Sequence, residues 1–405
     1  MKPGTPGFIG QRLREAREAR GQTAISLADV IGVSRSAVSH YESGEQSPGP
    51  EVMKKIIQVL NVPDAYFRYT ASPRQASPIF YRSMSVTTKS ARRRAEQRHA
   101  WLHEIAGYLR GYVEFPPLHF PDLDVPEDAT RLSEVQIEKL AQATRDFWNL
   151  GQGPILNVVA VLENNGFIVT RDELGADSLD AFSEFDHEQA VPYMVLGTDK
   201  ASAVRSRFDA AHELGHMVLH RKLKGVRLGL KTEHAMLERQ AHRFAAAFLL
   251  PEKSFAAEFY SATLDALLAL KKKWKVSIGM MIMRAEQLQF IDPITTKRLW
   301  VNYSRRGWRT CEPLDEEIPC EQPRLFQRSF EMLLQERVLT PEQILLDLPF
   351  SPDDIEELAG LPDGLLTSRS ADEGPPISIL RPRQGPAMER LGQPAPVISF
   401  PKRPQ

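Results

Sequence analysis

The sequence has little cysteine and no long apolar run. Its two cysteines, Cys311 and Cys320, have no second Cys or pair of His nearby at the spacing of a structural zinc site, so we expect free thiols. No stretch reaches the roughly 18 uninterrupted apolar residues of a membrane span. The N-terminal Met1-Lys2-Pro3-Gly4 lacks the apolar core of a signal peptide. These absences argue against a membrane protein and predict a cytoplasmic location.

The charge is distributed unevenly along the chain. The 405 residues carry a formal net charge of −1 and are 42% apolar, a size and composition that predict two or three folded units. The first hundred residues, however, contain 16 Lys and Arg against 8 Asp and Glu. A basic end on an otherwise acidic chain indicates an anionic partner there, although a charge run by itself is usually a solvated surface.

Periodicity predicts a mainly α fold with a small β-sheet. The strand candidates are Phe167 to Thr170, Asp180 to Phe185 and Val191 to Leu196. The expected domains are a cluster of short helices at 8–68, a linker and basic helix at 69–132, an α+β domain at 133–290, a helical C-terminal region at 291–366 and a tail at 367–405. Because the tail lacks periodicity and contains eight prolines, we expect it to be disordered.

Residues 23–44 have the pattern of a helix-turn-helix. Thr23 and Ser34 can cap two successive helices, and Gly32 can supply the turn between them. Helical spacing turns one set of residues inward: Leu27, Ala28, Ile31, Val33, Ala37, Val38 and Tyr41. It leaves another set facing outward near the start of the second helix, where a major groove would be met: Arg35, Ser36, Ser39 and His40.

The stretch from Ile9 to about Phe67 resembles the Cro/C1-type helix-turn-helix family, also called the XRE family. The resemblance implies a lambda-repressor-like helical domain that binds an operator in double-stranded DNA as a homodimer. It also implies that Arg35, Ser36 and His40 occupy base-reading positions and that Thr23 lies near phosphates. The alternative is a helical bundle that only binds proteins.

A basic block opens the helix predicted from about Thr88 to Tyr112. Its residues are Lys89, Arg92, Arg93, Arg94 and Arg98. The block can add phosphate contacts or merely solvate a linker helix, and from the sequence we favour the second interpretation.

A candidate metal site centres on His212-Glu213-Leu214-Gly215-His216. Residues four apart share a helix face, so the two imidazoles can bind one cation while Glu213 serves as a general base. A hydrolytic zinc site needs a third protein ligand, and Glu238 precedes an apolar stripe that would dock the next helix. His242, one turn later, is the alternative ligand or a partner that orients His212 or His216. We favour Glu238.

The residues Arg207 to His220, followed by Glu238 to Pro251, resemble the ImmA/IrrE metallopeptidase family, with similarity extending from about Ile155 to Gln287. The resemblance implies a zincin-like fold of the minimal gluzincin type. It implies Zn²⁺ bound by His212, His216 and Glu238, with Glu213 as the catalytic base. We expect His220 only to continue the helix face, and His187 and His234 to lie in loops.

These patterns and the two family resemblances together predict a DNA-binding transcriptional regulator with a zinc-dependent endopeptidase-like domain. Such a protein would control a repressor, toxin-antitoxin, phage or stress-response system by cleaving a protein substrate, either a repressor or an antitoxin. The alternative is a transcription factor without proteolytic activity, whose zincin-like domain senses a ligand, a metal or a partner.

Overall fold

The computed structural model describes residues 4–70, 79–81, 88–175, 180–199, 202–221, 231–367 and 398–399. Most of the tail predicted to be disordered, 367–405, and part of the predicted linker lie outside the described residues. Within the described ranges, no helix combines the length and the apolar content that a membrane crossing requires.

Helices account for most of the described structure, as the sequence predicts. The α-helices are α1 Gly10–Ala19, α2 Ala24–Ile31, α3 Arg35–Ser43, α4 Pro50–Leu60, α5 Lys89–Arg110, α6 Glu134–Phe147, α7 Val158–Asn164, α8 Ala203–Leu219, α9 Lys231–Leu249, α10 Glu252–Glu258, α11 Leu264–Trp274, α12 Ile278–Gln287, α13 Pro293–Arg305, α14 Leu325–Gln335, α15 Pro341–Asp347 and α16 Pro352–Ala359. Short 3₁₀ helices span Asp64–Arg68 and Ala129–Arg131.

A small mixed sheet accompanies the helices. Its strands are β1 Ile79–Tyr81, β3 Ile168–Asp172, β4 Ala181–Asp186 and β5 Val191–Gly197, in the order β1-β4-β5-β3. β3 pairs with β5 in parallel, whereas β4 is antiparallel to both β5 and β1. β2 Val113–Glu114 pairs in parallel with β6 Ile398–Ser399. The three strands predicted from the sequence are therefore confirmed, as is the mainly α fold.

The chain forms two compact units that are not continuous in sequence. Unit 1 comprises Met1–Arg74, Thr88–Pro116 and Arg324–Gln405, and unit 2 comprises Gln75–Thr87 and Pro117–Pro323. The segment 291–366, treated as one region in the sequence analysis, is thus divided. Its first part, with α13, belongs to unit 2, and α14 to α16 belong to unit 1.

In unit 1, α1 packs closely against the helix-turn-helix because Gly10 on α1 has no side chain. A Cβ on Gly10 would lie 2.1 Å from the carbonyl oxygen of Tyr41, so only glycine lets α1 approach the end of α3 this closely. The indole Nε1 of Trp101 on α5 donates to the Tyr66 hydroxyl at 3.1 Å, and the Trp101 ring packs against Phe350. These contacts join three separate sequence segments in one core.

Ion pairs strengthen the same junction in unit 1. The guanidinium of Arg20 donates to both oxygens of Asp354 at 2.6 Å, and Arg98 donates to Asp354 and Glu357 at 3.3 and 2.7 Å. Asp354 and Arg98 are buried. Since removing one partner would leave a buried charge uncompensated, these pairs hold the C-terminal helices of unit 1 in place.

Candidate metal centre and nucleic-acid interface

Helices α8 and α9 lie against each other in unit 2 and carry the predicted metal-binding residues. The stripe Ala241, Phe244, Ala245 and Phe248 on α9 is completely buried. A Cβ on Gly215 would lie 3.1 Å from the carbonyl oxygen of Ala241 and 3.2 Å from Phe244. The absence of a side chain at Gly215 therefore lets α8 approach α9.

Three donor groups converge between these helices. Nε2 of His212 lies 3.1 Å from Nε2 of His216. The two carboxylate oxygens of Glu238 lie 3.3 Å from the same nitrogens, one from each. Ligands about 2.0–2.1 Å from a tetrahedral Zn²⁺ are themselves about 3.3 Å apart. The donor set and its spacing therefore fit zinc.

A hydrogen-bonded chain orients the ring of His216. Its Nδ1 lies 2.9 Å from Nδ1 of His220, whose Nε2 lies 3.0 Å from Oε1 of Gln240. The Gln240 oxygen can only accept, so His220 donates through Nε2 and accepts at Nδ1 from His216. Burial and the neighbouring His216 lower the pKa of His220 well below its usual value, consistent with this neutral ring. This tautomer leaves Nε2 of His216 as the atom with a lone pair for a cation.

Glu213 is fully buried and is held by the sheet. The hydroxyl of Ser183 on β4 donates to Oε2 of Glu213 at 2.6 Å. This length is typical of a hydroxyl donating to a carboxylate. The strand thus fixes the orientation of the carboxylate that the sequence analysis assigned as general base.

His242 lies beside the convergent donors. Its ring is 4.5 Å from that of His212, and ligand atoms of His212, Glu238 and His242 all lie within 4.8 Å of one another. Its Nδ1 donates to the backbone carbonyl of Glu238 at 2.8 Å. His242 is therefore close enough to be a metal ligand itself or to orient His212. The preference for Glu238 as the third ligand stays a prediction.

A cavity of about 280 Å³ opens next to this cluster. Phe208 and His242 line it, and their rings lie 6.4 and 4.5 Å from the ring of His212. The remaining lining combines apolar and polar side chains from several elements of unit 2: Asp180, Val204, Arg205, Asp209, Ala246, Ser277, Met280, Met283 and Gln287. The cavity therefore leaves room for a small molecule or a side chain beside the candidate metal centre.

The helix-turn-helix of unit 1 has the predicted caps. The Thr23 hydroxyl accepts from the amide of Ser26, and the Ser34 hydroxyl accepts from the amide of Ala37, both at 3.1 Å. Gly32 ends α2 with a left-handed φ of 74°, the conformation that glycine adopts without strain. Both helices therefore begin, and α2 ends, where the cap residues predict.

The predicted DNA-contacting residues lie on the surface of unit 1. Arg35, Ser36 and Ser39 are exposed on α3, and Thr23 is exposed at the start of α2. His40 is 44% exposed, and its Nε2 lies 3.7 Å from a carboxylate oxygen of Glu45. α3 therefore presents the polar face that a recognition helix needs, with its apolar Val38 buried.

Two features of the metal centre differ from the sequence expectations. His220 contacts His216 directly instead of only continuing the helix face, and its i, i+4 spacing from His216 was the available signal. His234, expected in a loop, lies in the first turns of α9, with Nδ1 3.9 Å from Glu238. The segment before Glu238 has no apolar stripe that would have revealed this extension of the helix. Ser183 was also missed, because a lone serine in a strand gives no signal.

Comparison with known protein families gives two matches, one in each unit. Residues 13–67 match the helix-turn-helix family model. Residues 163–286 match the model of the IrrE N-terminal-like domain, in peptidase family M78. The chain thus combines a helix-turn-helix domain with an IrrE-like domain, which confirms the family resemblances seen in the sequence.

Individual relatives agree with the first of these matches. The uncharacterized HTH-type transcriptional regulator RghRB of Bacillus subtilis (strain 168) is 39% identical over 71 residues, 17% of this chain and 51% of that protein. The HTH-type transcriptional regulator SutR of Escherichia coli (strain K12) is 32% identical over 18% of this chain and 40% of its own length. Antitoxin PezA of Streptococcus pneumoniae is 28% identical over 18% and 44%. The matched stretch spans about half or less of each relative.

Proposed function

We propose that this protein is a DNA-binding transcriptional regulator that carries a zinc-dependent endopeptidase in the same chain. The helix-turn-helix match and the exposed polar face of α3 support the first activity. The IrrE-like match supports the second. On this proposal the protein binds a palindromic operator as a homodimer, because one such module reads only a half-site. It acts in the cytoplasm, where a bacterial operator lies.

The convergence of His212, His216 and Glu238 beside a buried, oriented Glu213 is the observation that carries the enzymatic part. Bound Zn²⁺ would supply Lewis-acid chemistry, lowering the pKa of water and polarising a carbonyl. Glu213 accepts the proton of the attacking water and passes it to the amine that leaves when the peptide C–N bond breaks. Ser183 keeps the carboxylate directed for both transfers.

The proposed substrate is a repressor or antitoxin protein whose cleavage changes transcription. The test incubates the zinc-loaded protein with itself and with products of neighbouring genes, then identifies new N-termini by mass spectrometry. We expect one protein to be cut at a defined bond, and a chelator to prevent the cut. A parallel incubation with His216→Ala controls for contaminating proteases. If no partner is cut although zinc is bound, the enzymatic part of the proposal fails.

The cavity beside His242 favours a second candidate function, in which unit 2 senses a small ligand and cuts nothing. Met280 and Ala246 line this cavity, so Ala246→Phe would fill space that a ligand needs. The sensor account predicts that this variant no longer responds to the inducing signal, whereas Glu213→Gln responds normally. The endopeptidase account predicts that Glu213→Gln also fails to respond.

A further inference from the structure

The first turns of α5 carry a concentrated positive charge. Lys89, Arg92, Arg93 and Arg94 fall within six consecutive residues, and we call these four side chains the basic turn. The turn is well formed, because the hydroxyl of Thr88 caps it by accepting from the amide of Ala91 at 3.2 Å. Arg98, one turn later, is buried in the ion pairs with Asp354 and Glu357 and does not belong to it.

The basic turn faces away from the core of unit 1. Ala91 and Ala95 are buried, which fixes the inward direction of the helix. At 100° per residue, Lys89 and Arg93 point to the opposite side. Lys89 is exposed and the Arg93 side chain is 53% exposed, while Arg92 and Arg94 flank them at intermediate burial. The outward face of this turn is therefore cationic.

This face lies next to the turn that precedes α2. The hydroxyl of Ser90 donates to the carbonyl oxygen of Gly21 at 3.0 Å. A Cβ built on Gly21 would lie 3.7 Å from Cδ of Arg94. Gly21 stands two residues before Thr23, the N-cap of α2 and the predicted neighbour of a phosphate. The basic turn therefore adjoins the end of the helix-turn-helix that would meet the DNA backbone.

Basic residues outnumber acidic residues around the basic turn in the sequence. Oε1 of the buried Glu18 lies 3.5 Å from Arg93, but the same oxygen is 3.4 Å from Arg14 and 3.6 Å from Arg17. Arg17 also pairs with Glu42 at 2.6 Å, so two carboxylates serve these three guanidinium groups. Glu96 is the one acidic residue among 89–98.

We propose that the basic turn binds the sugar-phosphate backbone of duplex DNA, on the Thr23 side of the half-site that α3 reads. The inference rests on the proposed DNA-binding function and adds a contact outside the helix-turn-helix. Exposed Lys and Arg beside a helix-turn-helix bind phosphates without reading sequence. Each neutralised phosphate releases counterions, so each contact steepens the dependence of binding on salt.

The test compares the full-length protein with the variant Lys89→Ala/Arg92→Ala/Arg93→Ala. Binding to an operator duplex and to a scrambled duplex is measured by fluorescence anisotropy between about 50 and 200 mM salt. We expect the slope of log Kobs against log salt to become shallower by about 0.9 for each lost contact. Affinity should fall by the same factor on both duplexes, because phosphate contacts carry no sequence information.

The control variant Lys253→Ala/Lys297→Ala/Arg328→Ala removes the same net charge from exposed positions elsewhere. It should keep the native slope. Arg92→Lys/Arg93→Lys should keep it as well, since a point charge is sufficient for a phosphate. Lys89→Ala alone changes one exposed side chain, so its slope remains informative if the triple variant folds poorly.

The outcomes separate this inference from the proposed function. A native slope in both Lys89→Ala and the triple variant, with normal operator binding, overturns the role of the basic turn and leaves the DNA-binding proposal intact. Failure of the native protein to bind any duplex overturns both. An equal change of slope in the charge-matched control shows a general charge effect and also contradicts the proposal.

Discussion

Nδ1 of His216 lies 2.9 Å from Nδ1 of His220, so the imidazole of His220, at the end of α8, orients the imidazole of His216. Because Gln240 fixes the proton of His220 on Nε2, His216 is held in the tautomer that offers Nε2 to Zn²⁺.

Replacing His220 should therefore weaken metal binding without removing a ligand. We expect His220→Ala to lower zinc affinity by roughly 10–100-fold, the usual cost of losing a group that orients a ligand. Competition with a chromophoric chelator measures the change. His220→Gln retains an acceptor and should lose less, and His187→Ala, in a turn outside α8, should bind zinc normally. Native affinity in His220→Ala would contradict the orienting role.

The identity of the third ligand can be decided by comparing two residues on α9. Glu238→Ala leaves two imidazoles, too few for a stable catalytic site, so we expect the purified variant to contain almost no zinc. His242→Ala should retain metal with reduced affinity, because the three favoured ligands remain and only a neighbouring group is lost. Metal content by mass spectrometry distinguishes them, and the reverse order would assign the ligand role to His242.

Close packing of α8 on α9 should be sensitive to bulk at Gly215. A Cβ there meets Ala241 and Phe244 at 3.1–3.2 Å, so we expect Gly215→Val to destabilise unit 2 by about 1–3 kcal/mol. Gly107→Val is the matched control, since nothing lies within 4 Å of a Cβ at that helical position. Thermal unfolding followed by circular dichroism compares the two variants. Equal unfolding midpoints for the two variants would contradict the claim that α8 and α9 have no room for a side chain at position 215.

Recognition by α3 should depend on Arg35. Arg35→Ala removes an exposed side chain from the first residue of the helix and should weaken operator binding by about 1–3 kcal/mol. Binding to a scrambled duplex should change far less. Lys54→Ala, an exposed residue on α4, serves as the control. Equal losses on both duplexes would make Arg35 a phosphate contact.

Local patterns were sufficient to predict much of this structure. The caps Thr23 and Ser34, the strands, and the i, i+4 pair His212 and His216 all depend on residues close in sequence. The contact of Ser183 with Glu213 depends on how a strand meets a helix, which no local pattern encodes. The division of 291–366 was also unpredictable, because Phe350 and Asp354 find their partners in distant segments.

The central claim is that Glu213 is the base of a peptide-cleaving site. Glu213→Gln keeps the size of the side chain and can still accept a hydrogen bond from Ser183, but it cannot take a proton. The most direct test is therefore the rate at which native and Glu213→Gln proteins of equal zinc content cleave the identified partner. The account predicts that the variant binds zinc and DNA normally and cleaves roughly 10²–10⁴-fold more slowly. Cleavage at the native rate would contradict it.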